Sequence, residues 1–186
     1  MRKLIAVCGA MLAFSAVADH VAFVNVGGAI DDAVFGPIVS NKVRAVGMVN
    51  VAVEKAQSIN VGELANRASK GYPKEARKMG VYFIDTTDLP PQLTCPGHFA
   101  VVNVRGLRKD ADEKTYKSRI TKMVLKGLAF ACGFGANQDV GRCVMSMGSF
   151  DTLKGIDSTS ESYSPFCFFP LSDYLQTRNL NLVPTK

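Results

Sequence analysis

Histidine is almost missing from this chain: 186 residues contain only His20 and His98. The two lie far apart in sequence, which argues against any site built from two or three imidazoles. No CxxC pair occurs, so the usual closed structural zinc signature is absent as well. GxSxG and SxxK nucleophile motifs are also lacking. The nearest acidic cluster, Asp110, Asp112 and Glu113, is too irregular for a calcium loop and reads as solvated. GGAIDDAVFG has neither the GxGxxG spacing nor a following Lys-Ser/Thr, and GFGANQDVG follows a helical pattern rather than a strand. Neither is a nucleotide loop. Basic residues are scattered, without a dense run or interleaved aromatics, so no nucleic-acid partner is expected.

The one long apolar run stands at the start. MRKL supplies a short positive segment, LIAVCGAMLAF is too short to span a bilayer, and Ala16-Val17-Ala18 is a small-x-small cleavage pattern. Residues 1–18 therefore read as a signal peptide, and residues 19–186 as a single domain, exported to the periplasm or beyond the cell. Removing Arg2 and Lys3 from the 22 basic residues leaves 20 against 16 acidic, a net charge of +4. No later run reaches eighteen apolar residues, so no membrane span is expected in the mature chain. Export also changes the meaning of Cys95, Cys132, Cys143 and Cys167, because an oxidising compartment permits disulfides. Spacing alone leaves all three pairings open. Cys95-Pro-Gly-His98 has metal-ligand spacing, but a turn carrying a bridged cysteine accounts for it better.

Alternating apolar patterns predict strands at His20–Val26, Gly47–Ala56, Val81–Asp85 and Phe99–Val104. Helices are expected over Ile30–Val46, weakened at Gly36-Pro37, and over the charged connection Val61–Met79. TTDLPPQLTCPGH reads as turns. The longest helical pattern runs from Tyr116 to Cys132. Lys117, Arg119 and Lys122 mark an exposed first half, LAFAC marks a buried end, and Gly133 suits the left-handed residue that closes a helix. The tail is loop-rich, with a short helix around Leu171–Thr177. This mixture indicates an α/β or α+β sheet domain.

The order of these parts carries a resemblance. Strand, RGL, long helix, glycine, loop and Cys143-Val144-Met145 are arranged as in the metzincin zinc peptidases, and the chain most resembles the archaemetzincins among them. The metzincin signature is HExxHxxGxxH followed by a Met-turn. With its glycine laid on Gly133, the three zinc-ligand positions fall on Lys126, Phe130 and Ala136, and the general-base position on Gly127. All four chemical groups are gone. The surrounding frame persists. Arg119-Ile-Thr-Lys122 is similar to the family's R-x-x-K ahead of the first histidine, and Met145 stands in the Met-turn. Leu153, Asp157 and Phe166-Cys167-Phe-Phe-Pro170 are similar to its downstream pattern, as are MGVYFIDTTDLPPQL and HFAVVNVRGL upstream. The resemblance implies a metzincin-like mixed sheet with packed helices, a long former active-site helix, a Met-turn and an irregular C-terminal subdomain.

The departures govern the functional expectation. The family's second zinc site uses four cysteines, and here those positions read Asn137, Cys143, Cys167 and Pro170. Two thiolates do not close a tetrahedral site. The resemblance thus implies a Cys143–Cys167 disulfide, with Cys95–Cys132 as the other bond. Lys126 would repel a metal ion, Phe130 and Ala136 offer no donor atom, and Gly127 cannot polarise water. The resulting expectation is a pseudopeptidase with no metal, no cofactor and no catalytic residue, binding an extended peptide or another exported protein. The edge strand offered for that is Phe99–Val104, by β-augmentation. Two other classes remain: an enzyme of different chemistry using Lys126 or Cys132 as nucleophile, and a structural envelope protein. The leader is checked directly, since N-terminal sequencing of the exported protein is expected to begin at Asp19; a chain retaining Met1 would remove the export reading.

Overall fold

The computed structural model describes residues 20–43, 51–69, 78–87, 92–95, 98–136, 143–146 and 152–177. Residues 1–18, expected to form a signal peptide, and Asn137 lie outside these. Five strands form one sheet: β1 (His20–Val26), β2 (Val51–Ala56), β3 (Lys78–Ile84), β4 (Gln92–Cys95) and β5 (Phe99–Asn103). Their order is β2-β1-β3-β5-β4. The pairs β1–β2, β1–β3 and β3–β5 are parallel, and β4 returns antiparallel to β5. Parallel strands need crossovers, and these put helices on the sheet faces.

Both faces are consequently apolar. Val21 and Phe23 of β1 join Val81 and Phe83 of β3 and Ala100 and Val102 of β5 in the larger core. Their neighbours Ala22, Val24, Ile84 and Val101 line the opposite face. Helix α1 (Asp32–Ile38) widens into a π turn over Val39–Val43, and α2 spans Val61–Ser69. Val61 and Leu64 of α2 pack on the smaller face, whereas Val34, Phe35, Val39 and Val43 pack on the larger. The Gly27-Gly28 pair forms the strand-to-helix corner, with φ of 62° and 70°. Asn25 locks that corner, donating to Ile30 O at 2.6 Å and accepting from Ile30 N at 3.1 Å.

The long helix α3 (Glu113–Ala131) lies on the larger face. Asp112 caps it by accepting from Thr115 N at 2.7 Å. Gly133, at φ 91°, ends it. Gly133 N donates to Phe130 O and Phe134 N to Ala129 O, both at 2.9 Å, the paired bonds of a Schellman stop. Two further helices follow, α4 (Leu153–Ser158) and α5 (Pro165–Thr177). Among the described residues no helix is long and apolar enough to cross a membrane.

Three expectations need correction. Phe99–Val104 is not an edge: β5 is paired on both sides, by β3 and β4. The edge is the four-residue β4, inside the stretch read as turns. Arg119 and Lys122 are not solvent-facing, since each is only 4% exposed. Arg119 is tolerated inside because four of its five N–H groups are bonded. Nε and Nη2 donate to the two Asp157 carboxylate oxygens at 2.8 and 2.7 Å, while Nη1 donates to Leu107 O at 2.8 Å and Lys109 O at 2.7 Å. Lys122 Nζ donates to Ile156 O at 3.0 Å. Third, the tail is more ordered than expected, with α4 unforeseen and α5 beginning at Pro165.

The Arg119 guanidinium holds the Asp157 carboxyl below its ordinary 3.8, against the opposing effect of burial. A carboxyl lowered on folding stabilises fully above its unfolded value, and that stabilisation drains away as pH falls through the lower folded value. Asp157→Asn is expected to cost about 1–3 kcal/mol at neutral pH, below the loss for a wholly buried pair because the carboxylate is partly exposed. Urea melts of both proteins should converge as pH drops below 3.8 toward the folded value. A constant difference down to the acid transition would mean the ion pair contributes nothing.

Candidate functional site

The four positions that the resemblance aligns with metzincin chemistry lie on helix α3 and just after it, and each has a packing or surface role here. Lys126 has no exposed surface at all, despite its charge-bearing side chain. Phe130 is buried in the larger core. Ala136 is exposed. Gly127 faces the sheet. A Cβ built on it would stand 2.5 Å from Val81 Cγ1 and 3.2 Å from Val102 Cγ2. The space that a general-base side chain would need has therefore been taken by β3 and β5.

Zinc does not fit this set. The donor chemistry is an amine, an aromatic ring, a methyl group and a hydrogen atom, and three protein donors are the minimum for a catalytic zinc. Among the described residues no three His, Cys, Asp or Glu side chains converge. Both candidate nucleophiles are buried. Lys126 has no exposed surface, and Cys132 is buried with its Sγ 3.8 Å from the Met79 sulfur.

Met145 is buried beneath the helix at 1% exposure, on the turn Cys143–Ser146 that Ser146 N closes onto Cys143 O at 2.9 Å. Val144 N donates to Ser162 O at 3.0 Å and ties this turn to the segment before α5. The next residue, Tyr163, was not foreseen as important. Its hydroxyl donates to Leu125 O on α3 at 2.5 Å. Burial pushes that hydroxyl well above the usual tyrosine value, and Cys132, Cys143 and Cys167 around it push the same way. Tyr163 thus stays a neutral donor, crossing from the tail to the former active-site helix.

Beside Met145 lies a small apolar pocket of about 150 Å³, whose lining includes Ala129, Met145, Tyr163, Phe166, Cys167 and Leu171. Phe166 and Phe169 on α5 are 79% and 67% exposed, an unusual cost in contact with water for two aromatic rings. Met145, Phe166, Cys167 and Pro170 in this lining had been marked in the sequence, though not as a pocket. An apolar i, i+3 pair within PFCFFP was the signal for the exposed rings, and it reads equally as buried core.

The cysteines implied as a bridge are close without being joined. Cys143 and Cys167 are thiols with their Sγ atoms 3.8 Å apart, whereas a disulfide holds them at about 2.0 Å. Cys132 is likewise a thiol, and the side chain of its expected partner Cys95 lies outside the described residues.

No protein-family profile matches the chain, and no curated protein does. Two solved structures do. An archaemetzincin from Methanopyrus kandleri aligns with a TM-score of 0.58 and 25% identity, over 84% of this chain and 96% of the other. An archaemetzincin from Archaeoglobus fulgidus, complexed with malonate, aligns at 0.53 and 15%, over 79% and 97%. The chain has an archaemetzincin-like fold.

The close approach at Gly127 is open to measurement. Gly127→Ala gains up to about 1 kcal/mol of helix propensity, but its methyl meets a stiff, β-branched valine in a packed sheet. Overpacking is expected to win, with net destabilisation of about 1–3 kcal/mol in urea melts. Val81→Ala in the same chain should recover part of that loss. A Gly127→Ala protein at least as stable as the parent would place the helix farther from the sheet.

Proposed function

We propose that this archaemetzincin-like domain is an exported pseudopeptidase, which binds an extended segment of peptide or protein and does not cleave it. The observation that carries the reading is the fate of the catalytic positions. Lys126 is wholly enclosed, Phe130 is core, and strand side chains crowd Gly127. Substitution alone would leave an empty cleft. Here the protein's own groups occupy the place where the chemistry was, so water activation has neither a base nor a metal to serve it.

Binding needs none of those groups. β4 ends the sheet order, so its outer side is where an extended segment can add as a further strand through main-chain hydrogen bonds. The apolar pocket beside Met145 has room for one apolar side chain, and the exposed ring of Phe166 lines it. Sheet addition supplies affinity with little sequence preference, and a single anchor pocket supplies the preference.

Two measurements test this. Purified protein incubated with excess zinc and then dialysed is expected to retain far less than one metal per chain, with no hydrolysis of a casein substrate. One tightly held zinc, or turnover that a chelator abolishes, would refute the non-catalytic reading. A displayed library of random peptides should enrich sequences with one apolar anchor, and Phe166→Ser should weaken the selected peptides about fivefold or more. A library that enriches nothing on folded protein removes the binding reading.

A further inference from the structure

We propose that Cys143 and Cys167 are a reversible dithiol latch on the wall of the pocket beside Met145, exchanging with low-molecular-weight disulfides of the glutathione class. As a proposal about regulation of that pocket, it rests on the peptide-binding reading for what the pocket holds. The chemistry of the latch itself does not depend on the ligand.

The two thiols differ in a way that suits ordered exchange. Cys167 is half-buried and lines the pocket, where a small reagent can meet it. Cys143 is buried, and its sulfur is fixed by two backbone donors, Ser164 N at 3.2 Å and Met145 N at 3.4 Å. The Cys167 thiolate attacks one sulfur of the reagent, forming a mixed disulfide and releasing the first small thiol. The Cys143 thiolate, already 3.8 Å away, then attacks the Cys167 sulfur and releases the second. Both protein thiols lose their protons to solvent, and two electrons pass to the reagent, which leaves as two thiols. Excess reduced thiol runs the same steps backward.

Closing the bond must alter the pocket. The sulfurs have to approach from 3.8 Å to about 2.0 Å. Cys143 has little freedom, since Val144 N on Ser162 O and the two donors to its sulfur hold its turn. The movement therefore falls on Cys167, in the first turn of α5 where Cys167 N donates to Ser164 O at 3.0 Å. Either the Cys167 side chain rotates away from the pocket wall or that turn shifts toward Met145. Phe166 and Pro170, which also line the pocket, stand on the same helix. A permanent staple would hold one pocket shape, whereas an exchanging pair gives two.

The test uses the full chain in buffers of graded reduced to oxidised glutathione, quenched by alkylation and mapped by mass spectrometry. Expected is a Cys143–Cys167 linked peptide, two hydrogens lighter than its reduced parts, that appears and disappears reversibly with the ratio. In parallel, the Met145 methyl resonance, assigned through Met145→Leu, should take two positions that interconvert with the same midpoint. Cys143→Ser should hold it at one position under all ratios. A stable glutathione adduct on Cys167 without a linked peptide would overturn the latch. So would a linked peptide with an unmoved Met145 methyl, or a shift that persists in Cys143→Ser. Failure of the peptide library on reduced protein would remove the ligand reading and leave these redox outcomes standing by themselves.

Discussion

A single buried guanidinium ties the sheet domain to everything that follows the long helix. Arg119 donates to the carbonyls of Leu107 and Lys109 after β5 and to both oxygens of Asp157 in α4. Lysine could not replace it, because one ammonium cannot present a planar fork to a carboxylate while reaching two carbonyls elsewhere. Burying that charge is expensive, and four hydrogen bonds, two of them to a carboxylate, offset the cost. One turn further along, Lys122 donates to Ile156 O. Burial pulls its ammonium below the usual lysine value, with Asp157 and Glu161 pulling the other way. The C-terminal segments are thus held by charge on one side of α3, rather than by apolar area alone.

The other side of the same helix is fixed by the absence of a side chain. Gly127 lets α3 settle against Val81 and Val102, closer than any Cβ would permit. Gly127 is itself one of the positions that the resemblance assigned to the metzincin chemistry, with Lys126 beside it and Phe130 one turn on. Lys126 is enclosed and Phe130 joins the core. A glutamate at Gly127 would require the sheet and helix to separate first.

Much of this was legible in residue order. Near-continuous apolar runs in HVAFVNV and FAVVN, and three- and four-residue steps in the long helix, fix elements that are buried on both sheet faces or along a helix. Gly133 marked its helix end for a stereochemical reason that needs no tertiary context. What failed depended on context. QLTC is four residues between prolines, and only pairing with β5 makes it a strand and displaces Phe99–Asn103 from the edge. Arg119 and Lys122 looked solvated because charge normally is; their burial depends on Asp157 and on carbonyls distant in sequence. LKGIDS and PFCFFPLSDYLQT carry a glycine or a proline in a helix, which local propensity counts against them.

The positions that the resemblance assigns to two metal sites are physically unlike each other in this chain, and the difference bears on what chemistry each can do. At the first, the protein has filled the space itself: a lysine without exposed surface, a core phenylalanine and a helix too close to the sheet. At the second, two thiol sulfurs stand 3.8 Å apart, one of them on the wall of an apolar pocket and both beside a half-buried Tyr163 whose hydroxyl stays neutral. Thiol exchange needs only two sulfurs within reach of each other and one within reach of solvent. Cys143 and Cys167 meet that requirement, which is why the proposed latch is placed on them rather than on the long helix.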